Sequence, residues 1–165
     1  MNSITKRWLR GSLAITLAVL LAAEVLIFLL TVSSFYNGAR QAILSRLNTL
    51  TGQLSAGGEL PEEERAALLR RTVTDFEEKD KFELMLVNAR GEVLLTSSGF
   101  MPSPAGPVQD YEAATRSGDS LGEYVGNMGQ GERVMAISYV LEAPAGEITG
   151  LRFVVSLSEI DARIL

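Results

Sequence analysis

Residues 13–32, LAITLAVLLAAEVLIFLLTV, constrain everything that follows them. About 20 nearly unbroken apolar residues, at ~1.5 Å of rise each, make a helix ~30 Å long, the thickness of a bilayer's hydrocarbon core. The run has no polar face to turn toward water, so it does not read as the core helix of a soluble domain. Lys6, Arg7 and Arg10 stand just before it and predict a cytoplasmic N-terminus. A cleaved secretory signal is the competing reading. The run is longer than an ordinary signal core of ~7–15 residues, and Thr31-Val32-Ser33-Ser34 is a poor cleavage site, so an uncleaved anchor fits better.

Glu24 is the one charged residue inside the run. A carboxyl at membrane depth is costly and is often functional. Two readings fit. In one, a neutral Glu24 hydrogen-bonds a partner helix, in the simplest case its own copy in a dimer. In the other, the flanking Leu, Val and Phe carry it into the bilayer against an insertion cost of ~2.5–3.5 kcal/mol.

About 130 residues follow the anchor, enough for one compact domain and too few for two. The whole chain has a net charge of −5, and setting aside Lys6, Arg7, Arg10 and Glu24 leaves the remainder more acidic still. Such a surface argues against nucleic acid and against docking on anionic lipid. The chain has no cysteine and no histidine. Disulfides, Ser-His triads, His-ligated metals and a phospho-accepting His are therefore excluded from it, and the domain must be held by a hydrophobic core. No cofactor or metal site is expected.

After the anchor, Tyr36, Ala39, Ile43, Leu47, Leu50 and Leu54 recur at three- and four-residue steps. They form one apolar stripe on a helix that continues out of the membrane and ends at Gly57-Gly58. Gly38 weakens this helix by up to ~1 kcal/mol without having to break it. The stripe can pack on its own domain, serve as a dimer seam, or do both, since a long helix has two sides; Glu24, Ile43, Leu47, Leu50 and Leu54 are the candidate interface residues. A second helix is predicted to start at Pro61, with Glu62, Glu63 and Glu64 at its positive end and Leu68, Leu69, Val73 and Phe76 on its apolar side. The run Glu77-Glu78-Lys79-Asp80 reads as a solvated end; it lacks the spacing and the glycine of a calcium loop.

The pattern then changes to strands. Residues 82–87 and 92–97 read as a β-hairpin around the turn Asn88-Ala89-Arg90-Gly91, apolar on both faces at their centres, so both faces of the sheet should be covered. Residues 98–108, SGFMPSPAGPV, read as a loop of the length that often builds a binding site. A short helix over 109–116 ends at Ser117-Gly118. Strands over 121–126, 133–141 and 148–157 follow, joined by the turns Asn127-Met128-Gly129-Gln130-Gly131 and Ala143-Pro144-Ala145-Gly146. Alternation puts Arg133, Met135, Ile137 and Tyr139 on one face and Val134, Ala136 and Ser138 on the other; Leu151, Phe153 and Val155 oppose Arg152 and Val154 likewise. Leu157, Ile160 and Ile164 predict a further helix over 158–165, leading toward a second membrane segment.

This order of elements, with the hairpin LMLVNARGEVLLTS as a strand–Asx–x–x–Gly–strand unit and the closing stretch ITGLRFVVSLSEIDARI, resembles the extracytoplasmic PAS-like (single Cache, or PDC) sensor regions of bacterial two-component sensor histidine kinases. The fold the resemblance implies is α+β: an N-terminal transmembrane helix continuing into a long helix, then a PAS-like five-stranded antiparallel sheet flanked by helices. The segments are a cytoplasmic tail over 1–12, a transmembrane helix over 13–33, a sensor domain over 34–157 and the start of an exit helix over 158–165. The resemblance places the N-terminal helices on one face of the sheet, the proline-rich loop and short helix on the other, and a small ligand between sheet and loop.

Tyr111, Arg116, Tyr124, Arg133, Ser138 and Arg152 are the candidate polar contacts. Arginines among them would suit an anion such as a carboxylate. The implied function is that of an extracytoplasmic sensor at the cell membrane, a parallel homodimer detecting a small molecule or an envelope protein and signalling to a kinase core outside this sequence. The same front end suits a chemotaxis receptor or a cyclase, and a single-pass anchored adaptor is a third class. An enzyme is disfavoured, since the sequence holds no nucleophile–base arrangement and no metal set.

Overall fold

The computed structural model describes residues 3–56, 60–99, 108–128 and 131–158. Helix α1 spans Ser3–Ala56 and α2 spans Glu62–Thr74; strands β1 (Glu83–Val87) and β2 (Val93–Thr96) follow. Next come α3 (Gln109–Arg116), β3 (Leu121–Met128), β4 (Glu132–Ala145) and β5 (Ile148–Ser156). The class is α+β. Two compact units divide within α1, one ending at Gly38 and one beginning at Ala39.

In the first unit, the helix keeps its regular hydrogen bonding, Gly38 included. Gly11–Gln53 is the one helical stretch among the described residues long and apolar enough to cross a membrane. Its large side chains, Leu13, Ile15, Val19, Ile27 and Leu30 among them, are exposed.

The second unit is built on a five-stranded antiparallel sheet of order β2-β1-β5-β4-β3. The last strand is therefore in the middle, hydrogen-bonded to β1 on one side and β4 on the other. The connection through α3 carries the chain from one edge strand, β2, to the other, β3. Leu84, Leu86, Ile137, Leu151 and Phe153 project to one face and are sealed from water. There Ile43 and Leu47 of α1 and Leu69 and Val73 of α2 are buried, and the Phe76 ring meets Phe153 edge-on at 6.2 Å. Two ion pairs tie α1 down within this unit: Arg40 Nη2 to Glu123 Oε1 at 2.5 Å and Arg46 Nε to Glu78 Oε2 at 2.7 Å. The opposite face carries Met85, Val134, Ala136, Ser138, Arg152 and Val154, with α3 packed over it. The alternation read from the sequence is the one the register shows.

The hairpin is held by its turn chemistry. Asn88 Oδ1 accepts from the N–H of Arg90 and of Glu92, each at 2.9 Å, and Gly91 takes φ +75, which a side chain would resist. Four expectations change. Pro61 is not the first helical residue of α2; its ψ of 149 leaves it outside as N-cap, and Glu62 begins the helix. Glu78 is not merely a solvated end, because it pairs with Arg46. Strand β4 runs on through Pro144 to Ala145, and the connection tightens to Gly146 (φ +63) and Glu147. The register slips between Val140 and Ala145, and that irregularity is where a proline with no N–H is tolerated. Ile43 and Leu47 take the packing role of the two proposed for their stripe: at 0% and 3% exposure they are enclosed by their own chain and offer no area to a second copy. Leu50 is half-buried. The side chain of Leu54, the end of α1 at Gly57-Gly58, most of the proline-rich stretch and the helix expected over 158–165 fall outside, or almost wholly outside, the described residues.

Candidate functional site

The face beneath α3 holds the densest set of buried polar groups among the described residues. It is assembled by register. Ser138 on β4 lies directly across from Arg152 on β5, so both side chains rise from the same face beside each other. Helix α3 brings Asp110 onto them in its first turn. Arg152 donates to Asp110 through Nε at 2.8 Å and Nη2 at 3.0 Å, a two-pronged pair, and the Ser138 hydroxyl donates to Asp110 Oδ2 at 2.7 Å. Arg152 is 5% exposed and Asp110 and Ser138 are 0% exposed, so the charges are withdrawn from water and each depends on the other.

Two glycines let α3 sit this low. A side chain at Gly122 would fall on the Asp110 carbonyl oxygen and the Ala114 nitrogen of the helix backbone. One at Gly150 would meet the Tyr111 ring at 2.8 Å and the Tyr139 carbonyl oxygen at 2.9 Å. Tyr111 thus sits close over Gly150 of β5, buried, with its hydroxyl 2.7 Å from Thr149 Oγ1.

Beside this network the same face is apolar. Met85, Val134, Ala136 and Val154 form a buried cluster, flanked by Val93 and Met128. Thr96 is paired in register with Met85 and is 4% exposed. Its hydroxyl has no hydrogen-bond partner among the described residues, a cost that most buried hydroxyls avoid.

Of the six residues singled out from sequence, the structure brings three together: Tyr111, Ser138 and Arg152. Tyr124 shares their face on β3, with its ring over Gly126 and its hydroxyl 3.5 Å from the Asn127 carbonyl oxygen. Arg116 is on the exposed side of α3, paired with Glu112 of the previous turn at 3.2 Å. Arg133 is exposed at the start of β4 and belongs by register to the opposite face. Sequence reasoning missed Asp110. An acid in the first turn of a helix reads as a dipole partner, and only the tertiary fold turns this one inward. It also missed Thr96, an ordinary strand residue by its pattern.

The arrangement limits what Arg152 can do. Both guanidinium groups with a described carboxylate contact on α3's side of the domain, Arg152 and Arg116, are engaged with acids of this chain. An incoming anion would have to displace one of them. A separate shallow cleft of about 430 Å³ opens between the two hairpin turns, lined by Asn88, Arg90, Glu92, Gly146, Glu147 and Thr149 among others. None of the six candidates lines it. There Glu92 titrates below its ordinary value, because the Asn88 amide donates to it and Arg90 lies beside it. Among the described residues no group of acids is placed to hold a metal ion.

No family model matches this chain, and no curated protein matches it by sequence. Solved structures do resemble it in shape. One is the ligand-binding domain of the Pseudomonas aeruginosa PAO1 amino acid chemoreceptor PctC in complex with GABA, 20% identical, with a TM-score of 0.46. The match covers 74% of this chain and 56% of that one, so this chain spans little more than half the neighbour's length.

Proposed function

We propose that this chain is a membrane-anchored extracytoplasmic sensor module, with a small-molecule site on the face of the sheet beneath α3, and that it signals to a histidine-kinase core. The reading is supported by a helix long and apolar enough to span a bilayer, with Lys6, Arg7 and Arg10 before it, and by an antiparallel sheet domain after it. The observation that carries the site is the Thr96 hydroxyl, buried without a partner among the described residues at the margin of an apolar cluster. A molecule bound there would supply the missing hydrogen bond and pack against the cluster's partly buried edge at Val93. With Arg152 already neutralised by Asp110, this chemistry favours an uncharged, mostly apolar ligand with one polar group over a free carboxylate.

The signal would travel through β5. That strand carries Arg152, is hydrogen-bonded on both sides, and extends its ladder by Leu157 N–H to the Arg133 carbonyl at 2.8 Å. A ligand that prefers one docking of α3 over another shifts the equilibrium between them by its difference in affinity, and ~1–3 kcal/mol suffices for a useful response.

The test is a thermal-shift screen of the full chain in micelles against neutral and anionic small molecules. A hit whose stabilisation is lost in Thr96→Val, a change that should leave the unliganded protein as stable or slightly more so, supports the site. Binding of carboxylates that depends on Arg152 and ignores Thr96 overturns the ligand class. Reading the frame beyond the codon for Leu165 tests the output: a second apolar span and a His-containing helical pair support the kinase, and a methyl-accepting coil or a cyclase replaces it.

A further inference from the structure

Glu24 is the one acidic residue inside the membrane-length apolar run. It lies in the apolar stretch of α1, and the structure records no bond to it from any side chain among the described residues. The residues three and four positions away, Leu20, Leu21, Ile27 and Phe28, are all apolar, so its own helix offers no side-chain partner. The nearest charged residues in sequence are Arg10 and Arg40, each more than three helical turns distant.

We propose that Glu24 fixes the pairing of this helix with a second copy of itself, carboxyl to carboxyl. The proposal rests on the membrane-spanning reading above. A parallel two-fold pair brings identical residues to the same depth. A carboxylic acid is both donor and acceptor, so two copies of Glu24 can satisfy each other with no third group. A foreign helix would need a polar residue of its own at that depth; a copy has one by symmetry. The surrounding positions agree. Leu17, Leu20, Ile27 and Thr31 fall within roughly 60° of Glu24 around a helix of ~100° per residue, at alternating three- and four-residue steps, the spacing of a packed helix seam.

The span has a rival face. Ala14, Ala18 and Ala22 form a small-residue row that would also admit close helix packing, but it lies roughly 120° around from Glu24. The two faces predict different contacts, and the absence of any cysteine makes them separable. Single cysteines are placed along residues 13–32 of the full chain in native membranes and oxidised. Cross-linked dimer peaking at Leu17, Leu20 and Ile27 is the expected result. Peaks at Ala14, Ala18 and Ala22, or no cross-link at any position, overturn the proposal while leaving the anchor intact. In the Leu20→Cys background, Glu24→Leu should lower the dimer yield roughly three- to tenfold, as loss of one interhelical hydrogen bond would, and Glu24→Gln should retain most of it. An unchanged yield in Glu24→Leu also overturns it. Release of the chain by alkaline carbonate would overturn the anchor and the pairing together.

Discussion

Arg152 and Asp110 show how strongly one residue can depend on another here. Each is nine-tenths or more buried, and together with Ser138 they close a network that no other described cation enters. Replacing Arg152 by Met leaves the Asp110 carboxyl buried without its cation and should cost about 3–5 kcal/mol in denaturant unfolding. The double replacement Asp110→Leu with Arg152→Met removes both charges and should recover most of that loss. A double variant no more stable than the single one would show that the pair does more than neutralise itself. At the surface the effects are smaller and read best by titration. Glu92 and Asp119 both ionise below their ordinary values of 4.5 and 3.8, Glu92 chiefly through the Asn88 amide and Asp119 chiefly through the Ser117 hydroxyl and then the Leu121 N–H. Because folding lowers these values, their stabilising effect is complete above the unfolded carboxylate values and is lost as pH falls through the folded ones. In Asn88→Ala, the Glu92 titration followed by NMR should move up toward 4.5, and the hairpin should lose less of its stability on acidification.

Among the elements, α3 is the one whose position is least its own. Its eight residues are too few to be stable alone, and its place is set by what the sheet leaves open beneath it. Gly122 is central to that. A methyl group there meets backbone atoms of α3, which cannot rotate aside as a side chain could. Gly122→Ala should therefore lift α3 and destabilise the domain by about 1–3 kcal/mol, with faster hydrogen exchange in α3 and at the Ser138–Arg152 rungs and little change in α2. Gly118, with open space around it, is the control: the same substitution there should have a far smaller effect. α2 is fixed differently, by an apolar stripe through Leu69 and Val73 and by polar ties at its start, where Arg65 donates to the carbonyls of Leu60, Ala143 and Pro144 and Glu62 accepts from Gly146.

For the molecule as a whole, the sheet order decides how the domain closes. β5 comes last in the chain and sits between β1 and β4, so neither half of the sheet is complete until it arrives. Ending the chain after Glu147 removes the partner of both β1 and β4 together with Leu151 and Phe153, two of the best-buried core residues. Such a variant should show no cooperative thermal transition in its sheet domain, whereas removing the exposed ion pair with Arg71→Ala should leave the transition in place within about 1 kcal/mol.

What the sequence determined by itself was everything that depends on near neighbours along the chain. The apolar run, the alternation within β4 that separates Ser138 from Arg133, the Asn88–Gly91 turn and the bounds of α3 all follow from periodicity and turn chemistry within a few residues. The tertiary structure alone decided which of those residues meet. It put Asp110 on Arg152 across 42 positions of sequence, sealed Ile43 and Leu47 within the domain and left the Thr96 hydroxyl without a partner among the described residues. Contacts of that kind depend on strand order and on how closely a helix can approach a sheet, and no local pattern encodes either.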